Sequence, residues 1–90
     1  MEVVENGKKD KQKILSERIN GLCKEKGISY YSLSYKSTVP LTTLLHIVDG
    51  SIKNPGIFTI IQICNGLDIS LKDFFDTEDF NKIVDEEIEE

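Results

Sequence analysis

The sequence lacks the residue combinations that most enzymes and metalloproteins require. It has one histidine, one arginine, no glycine-rich phosphate loop and no Ser/His/Asp or Cys/His set, so we expect no catalytic activity. The two cysteines, Cys23 and Cys64, lie 41 positions apart with no CxxC or Cys/His cluster. That spacing excludes the usual zinc site or redox pair and predicts two buried thiols. We therefore expect no metal and no cofactor.

Long apolar runs are absent as well. None approaches the roughly 20 residues that cross a bilayer, and residues 1–10 lack the apolar core of a secretory signal. These two absences predict a cytoplasmic protein with no membrane partner. With 90 residues, of which 39% are hydrophobic and 30% charged, the chain can bury one small core but not two.

Charge is distributed unevenly along the chain. The net charge is −5, which at face value argues against binding to phosphates. However, residues 76–90 carry −7, whereas residues 8–56 hold nine basic and four acidic side chains, or +5. This asymmetry indicates a basic segment that faces a polyanion, followed by an acidic tail; the alternative for the tail is a solvated charge run.

Apolar residues repeat with the period of a helix and no segment alternates as a strand would, so the predicted class is all-α. The first predicted helix covers residues 11–26 and ends before Gly27, where a positive φ costs glycine little. The second begins after the N-cap Ser29 and ends at about Lys36. It is about two turns long.

The third predicted helix covers about residues 40–49, with Pro40 in its first turn and Gly50 as its terminator. The fourth takes Asn54 as its N-cap and Pro55 as its first residue, and Gly66 ends it. We expect this fourth helix to be central and buried, because it is apolar almost all round. Its apolar residues are Ile57, Phe58, Ile60, Ile61 and Cys64.

Two shorter helical segments follow. Ser70 with Asp73 forms a variant of the capping box, and Ile69 can pack on Phe74 across the start of the fifth helix. Thr77 caps a sixth helix within the acidic tail. Its apolar stripe consists of Phe80, Ile83, Val84 and Ile88.

Together, these helices contain the arrangement that places one helix in the major groove of DNA. The residues that carry the match are Leu33, Ser34, Val39, Leu44, Ile47, Gly50, the pair Asn54-Pro55, the run Leu67-x-Ile69-Ser70, and Phe74-Phe75. With this spacing, residues 12–75 resemble the phage-repressor type (Cro/Xre-like) helix-turn-helix DNA-binding domain.

The resemblance implies a compact five-helix domain at residues 10–75, with a flexible N-terminal arm (1–9) before it and an acidic amphipathic tail (76–90) after it. The third helix would be the recognition helix, and the function would be sequence-specific binding to double-stranded DNA by a bacterial or phage-like transcriptional regulator. The base-facing residues would be Leu41, Thr42, Thr43 and His46. The phosphate-facing residues would be Tyr30, Lys36, Lys53 and Asn54. Hydroxyl, methyl and imidazole groups are suited to reading base edges.

Some positions depart from the usual family pattern. Glycine often stands where this chain has Thr38, so we expect Thr38 to take a backbone conformation that costs less than the positive φ of glycine. Asp49 would repel a nearby phosphate. Residues 37–52 hold no lysine or arginine, so one protomer would bind weakly, and a homodimer on two half-sites about 34–36 Å apart would compensate.

Other interpretations stay open at this stage. The whole domain could be a helical protein-interaction module that kept the fold without DNA binding. His46 could be an exposed residue without a role, and Tyr30, Tyr31 and Tyr35 could pack on the first and fourth helices. The stripe of the tail could pack on the core of its own chain, bind a second copy or a protein partner, or compete with DNA for the basic segment.

Overall fold

The computed structural model describes residues 10–88, and the side chains of residues 10–83. This part of the chain forms six helices and no strand, which confirms the all-α prediction. The predicted arm, residues 1–9, lies outside the described residues. The helices are α1 (Lys11–Lys26), α2 (Tyr30–Ser37), α3 (Leu41–Val48), α4 (Ile57–Leu67), α5 (Leu71–Phe75) and α6 (Glu78–Ile88).

The first two helices begin and end as their sequences predict. The Asp10 side chain accepts a hydrogen bond from the backbone N–H of Lys13, and Gly27 ends α1 with a left-handed φ of 69°. Ser29 caps α2 by accepting from the backbone N–H of Ser32 at 3.0 Å. These caps determine where α1 ends and where α2, the first helix of the helix-turn-helix, begins.

The turn between α2 and α3 corrects one prediction, because Thr38 adopts a φ of 58°, the left-handed conformation that glycine usually takes. Such a φ costs an L-residue about 1–2 kcal/mol. Hydrogen bonds offset this cost: the Gln62 amide of α4 donates to Thr38 Oγ1 at 3.1 Å, and the Ser34 hydroxyl donates to the carbonyl of Val39 at 2.7 Å. The turn is therefore held by one tertiary hydrogen bond, from α4, and one local hydrogen bond, from α2.

Both predicted ends of α4 are wrong. The helix begins at Ile57 with Gly56 as its N-cap, because Gly56 is extended (φ −69°, ψ 155°) and keeps the Asn54-Pro55 pair in the preceding loop. It continues through Gly66 to Leu67 and ends at Asp68, whose φ is 57°. A Cβ placed on Gly66 would lie 2.8 Å from Ser37 Cβ, so this glycine allows α2 and α4 to approach closely.

The predicted burial of α4 is also only partly right. Ile60, Ile63, Cys64 and Leu67 are buried, but Ile57 is 50% exposed and Phe58 is 78% exposed. The neighbouring helices cover one face of α4, mainly through α2, and leave the face that carries Phe58 in solvent.

The packing alternative for the tyrosines holds for Tyr30, which packs on the core and bonds to Asn20 of α1, but not for Tyr31 and Tyr35. Tyr31 is 73% exposed and Tyr35 is 84% exposed, while Tyr30 is half-buried. Tyr31 and Tyr35 lie on the side of α2 opposite to Leu33, whose side chain is buried in the core, and both rings are mostly in solvent.

The start of the acidic tail packs on the core of its own chain. Ser70 and Thr77 cap α5 and α6 as predicted, accepting from the backbone N–H groups of Asp73 and Phe80. The Phe80 ring lies 4.9 Å from that of Phe75, edge to face. These contacts favour the packing alternative for Phe80, whereas the Val84 and Ile88 side chains lie outside the described residues. The protein partner suggested for the tail stays a prediction.

One core holds the six helices together. Its fully buried side chains include Ile19, Leu33, Leu44, Ile47, Ile63, Leu67 and Phe74. Both thiols are buried as predicted, and burial raises the pKa of Cys23 and of Cys64. None of the helices within residues 10–88 is long and apolar enough to cross a membrane, and the described residues contain no cluster of three metal-ligating side chains.

Candidate nucleic-acid interface

α3 has one face in the core and one in solvent. Leu44 and Ile47 point inward and are at most 1% exposed, while Val48 is half-buried. Since residues three and four apart share a helix face, the opposite face consists of Thr42, Leu45 and His46 and is continued by the C-cap residue Asp49, all exposed. We call these four residues the outer face of α3.

The structure places the predicted base-facing residues at different depths. Thr42 and His46 belong to the outer face, whereas Leu41 and Thr43 are half-buried beside it. None of the four is covered completely by the protein. The hydroxyl, methyl and imidazole groups of this set remain accessible to a ligand in the first two turns of α3.

Sequence reasoning did not assign two members of the outer face to base contacts: Leu45 was left out, and Asp49 was placed only near a phosphate. Leu45 belonged to the apolar run of the third helix and was not assigned to the interface, yet 41% of its surface is exposed. The signal that could have found both residues is their spacing of three and seven positions from Thr42. An exposed leucine on this face provides an apolar contact of the kind that thymine methyl groups accept.

Asp49 is fixed in position by its own loop. Its Oδ1 accepts a hydrogen bond from the backbone N–H of Ser51 at 2.8 Å, and its Oδ2 lies 3.5 Å from Nδ1 of His46. The hydrogen bonds from Ser51 lower the pKa of the Asp49 carboxyl, with a smaller contribution from His46. The outer face therefore ends in an ionised carboxylate whose negative charge lies close to the imidazole.

Three of the four predicted phosphate-facing residues lie on the segments that precede and follow α3 in the chain. Lys36, near the end of α2, and Lys53 and Asn54, in the loop after α3, are exposed. The backbone of this loop is tied to α1, because the Gln12 amide donates to the Lys53 carbonyl at 3.3 Å. The backbone of the loop is thus held in place, while the side chains of Lys53 and Asn54 remain free to contact a ligand.

Tyr30 is less available than the other three. Its hydroxyl donates to Oδ1 of Asn20 at 2.7 Å, and burial, with a smaller effect of Cys23, raises the pKa of the phenol. A phenol has one proton to donate. A phosphate contact would therefore require this hydroxyl to leave Asn20.

The start of α3 offers backbone donors to an anion. No side chain caps its first turn, in contrast to α2, where Ser29 accepts from Ser32. The first N–H groups of a helix lack partners within the helix, and the helix dipole favours negative charge there. This end of α3 can accept a phosphate beside the exposed Thr42.

The sequence model of the Cro/C1-type helix-turn-helix DNA-binding domain matches residues 18–79, more than half of the chain. The chain belongs to this family. The fold of this Cro/C1-type domain is similar to the crystal structure of the wild-type restriction-modification controller protein C.Esp1396I, with a TM-score of 0.66 and 26% sequence identity. The alignment covers 88% of this chain and 95% of that chain. Among curated proteins, none matches this sequence significantly. The predicted resemblance is thus confirmed, and with it a DNA-binding, regulatory type of domain.

Proposed function

We propose that this Cro/C1-type domain binds double-stranded DNA in a sequence-specific way as a transcriptional regulator of a bacterial or phage type, with α3 in the major groove. The observation that carries the proposal is the outer face of α3, which presents Thr42, Leu45 and His46 to solvent although the helix has a well-packed inner face. Its similarity to a controller protein supports a regulatory role.

The outer face supplies contacts that distinguish bases. The Thr42 hydroxyl and the His46 imidazole can donate to or accept from base edges, and Leu45 can contact a thymine methyl group. Positioning on the backbone comes from the open first turn of α3 and from the exposed Lys36 and Lys53. Specific and non-specific contacts are therefore carried by different residues.

Selection of bound sequences from a randomised duplex pool tests this function. At low and moderate salt we expect one enriched sequence, whose binding constant falls steeply as salt increases because counterions leave the phosphates. Absence of binding at low salt would refute the proposal and favour the protein-interaction alternative.

Matched variants separate the two kinds of contact. Thr42→Ala should relax the preference at one base, whereas Lys53→Ala should weaken all sequences alike and reduce the slope against log salt by about 1. Lys72→Ala is the control, because Lys72 is an exposed lysine on α5 that we do not place at the interface. Equal losses in Lys53→Ala and Lys72→Ala would contradict a defined phosphate contact.

The DNA-binding form in this proposal is a homodimer. A single recognition helix without lysine or arginine binds weakly, and two half-sites about 34–36 Å apart double the contacts. The exposed Phe58 and the half-exposed Ile57, at the start of α4, supply an apolar surface suited to a second copy of the chain. Such a contact would remove both side chains from water.

Light scattering on two matched variants tests the dimer. Phe58→Ser should give a monomer that selects one half-site, whereas Tyr35→Ser should stay dimeric, although both changes replace an exposed aromatic side chain with serine. Both variants should fold, because neither ring is part of the core. Two dimeric variants, or a monomeric wild type that selects two half-sites, would contradict this interface.

A further inference from the structure

Two side chains of the outer face of α3, His46 and Asp49, lie close together. This contact is not expected if His46 is an exposed residue without a role. Nδ1 of His46 lies 3.5 Å from Oδ2 of Asp49, three residues along the chain, and both side chains are about half exposed. Asp49 cannot turn away freely, because its Oδ1 accepts from the backbone N–H of Ser51 at 2.8 Å. The carboxylate is thus held on one side of the imidazole.

This arrangement distinguishes the two ring nitrogens. A neutral imidazole carries its proton on one of its two nitrogens. Which nitrogen is protonated depends on the hydrogen-bond partners that neighbouring groups provide. The distance of 3.5 Å is longer than a closed N–H···O bond, at about 2.7–3.2 Å. Even so, a proton on Nδ1 is attracted to the negative Oδ2 of Asp49. In the other tautomer, the lone pair of Nδ1 faces that oxygen and is repelled by it.

We propose that Asp49 is a positioning residue that holds His46 as the Nδ1–H tautomer, so that Nε2 faces the DNA as a hydrogen-bond acceptor. The two ring nitrogens point in different directions, so Nε2 points away from Asp49. This inference rests on the proposed function and states which bases His46 would select. It also gives a role to a carboxylate that would otherwise only repel phosphates.

An acceptor at Nε2 selects a chemical class of base. In the major groove, adenine presents its N6 amino group and cytosine its N4 amino group, whereas guanine and thymine present carbonyl oxygens. The Nδ1–H tautomer therefore favours adenine or cytosine at the base below His46. The other tautomer, with a proton on Nε2, favours guanine or thymine and still tolerates adenine, whose N7 also accepts a hydrogen bond.

The isosteric change Asp49→Asn should reverse the tautomer. The backbone N–H of Ser51 needs an oxygen, so the side-chain oxygen of the variant stays on Ser51 and the NH₂ group faces His46. That NH₂ donates to Nδ1, which then carries the lone pair, and the proton moves to Nε2. Asp49→Ala removes the same negative charge without offering either partner, and so serves as the matched control.

The first measurement uses the free protein. His46 is the only histidine, so the ¹⁵N resonances of its ring are assigned without ambiguity at pH 8, where an imidazole is neutral. We expect Nδ1 to be the protonated nitrogen in the wild type and Nε2 in Asp49→Asn. The same tautomer in both proteins would overturn the inference whether or not the chain binds DNA.

The second measurement uses selection from the duplex pool at the same pH. At one position, cytosine should lose and guanine or thymine should gain by about three- to tenfold in Asp49→Asn relative to the wild type, the change expected for one hydrogen bond. Adenine presents both a donor and an acceptor, so it does not discriminate the two proteins. Asp49→Ala should weaken the wild-type preference without reversing it. Binding of all three proteins with identical preferences would refute the inference alone, whereas a wild type that binds no duplex would refute the proposed function and the base reading with it.

Discussion

Two glycines inside helices provide opposite tests of the packing that we describe. A Cβ on Gly66 would lie 2.8 Å from Ser37 Cβ and 2.9 Å from the backbone nitrogen of Ser37. A Cβ on Gly21, in α1, would meet nothing within 4 Å. The same substitution, glycine to alanine, is therefore compared at a closed site and at an open one.

The magnitudes follow from two opposing effects. Alanine in place of glycine stabilises a helix by about 0.5–1 kcal/mol, and Gly21→Ala should show this gain in full. At Gly66 the extra methyl group also forces α2 and α4 apart, and overpacking of this kind costs about 1–3 kcal/mol. Gly66→Ala should therefore lower the free energy of unfolding by about 1 kcal/mol, and by no more than about 2.5 kcal/mol.

Urea unfolding followed by circular dichroism measures both effects on the full chain. Thermal unfolding gives a second measurement. For a domain of this size, 1 kcal/mol corresponds to about 4–8 °C in Tm, so the two variants should shift away from the wild type in opposite directions. A Gly66→Ala variant as stable as Gly21→Ala would refute the close approach of α2 and α4, on which the position of the helix-turn-helix depends.

Three further changes test other contacts of the fold. Arg18 donates two hydrogen bonds of 2.8 Å to the backbone carbonyls of Asp73 and Phe74; Arg18→Lys lacks the planar guanidinium that fits both carbonyls and should cost about 1–2 kcal/mol in urea unfolding, and an unchanged midpoint would contradict this. The thiols of Cys23 and Cys64 should react with a disulfide reagent only on unfolding, because burial raises the pKa of each and blocks access; rapid reaction of the native protein would show that they are not buried. Tyr30→Phe should cost about 1 kcal/mol in thermal unfolding through its lost hydrogen bond, a loss that a hydroxyl free of Asn20 would not produce.

Local signals made much of the fold predictable from the sequence. Ser29, Ser70 and Thr77 each accept a hydrogen bond from a backbone N–H three residues later, and such a cap depends only on neighbouring residues. Periodic apolar residues placed α1 in the same way. For these elements, the short-range sequence contains the physical cause of the structure.

Long-range contacts explain where the sequence predictions were wrong. A glycine such as Gly66 often ends a helix, but here it lies inside α4 and leaves room for the side chain of Ser37 in α2. Thr38 has an unfavourable side chain for its φ of 58°, and Gln62 of α4 helps to hold it there. Neither partner is near in sequence, so no local pattern indicates these conformations.

The exposed face of α3 was predictable in outline and not in detail, and its role in binding stays a prediction. The family resemblance assigned Thr42 and His46 to the side of α3 that the structure exposes. Leu45 was missed because its apolar type suggested a core position. The contact between His46 and Asp49 depends on the hydrogen bond from Ser51, and side-chain orientation of this kind follows only from coordinates.

The most direct test of the central claim is whether the protein needs an open major groove. The duplex enriched from the pool is compared with the same duplex carrying glucosylated 5-hydroxymethylcytosine, whose sugar fills that groove, and with the unmodified duplex in the presence of netropsin, which occupies the minor groove. If α3 enters the major groove, glucosylation should abolish specific binding and netropsin should leave it nearly unchanged. Binding that tolerates the sugar and is lost with netropsin would contradict the account.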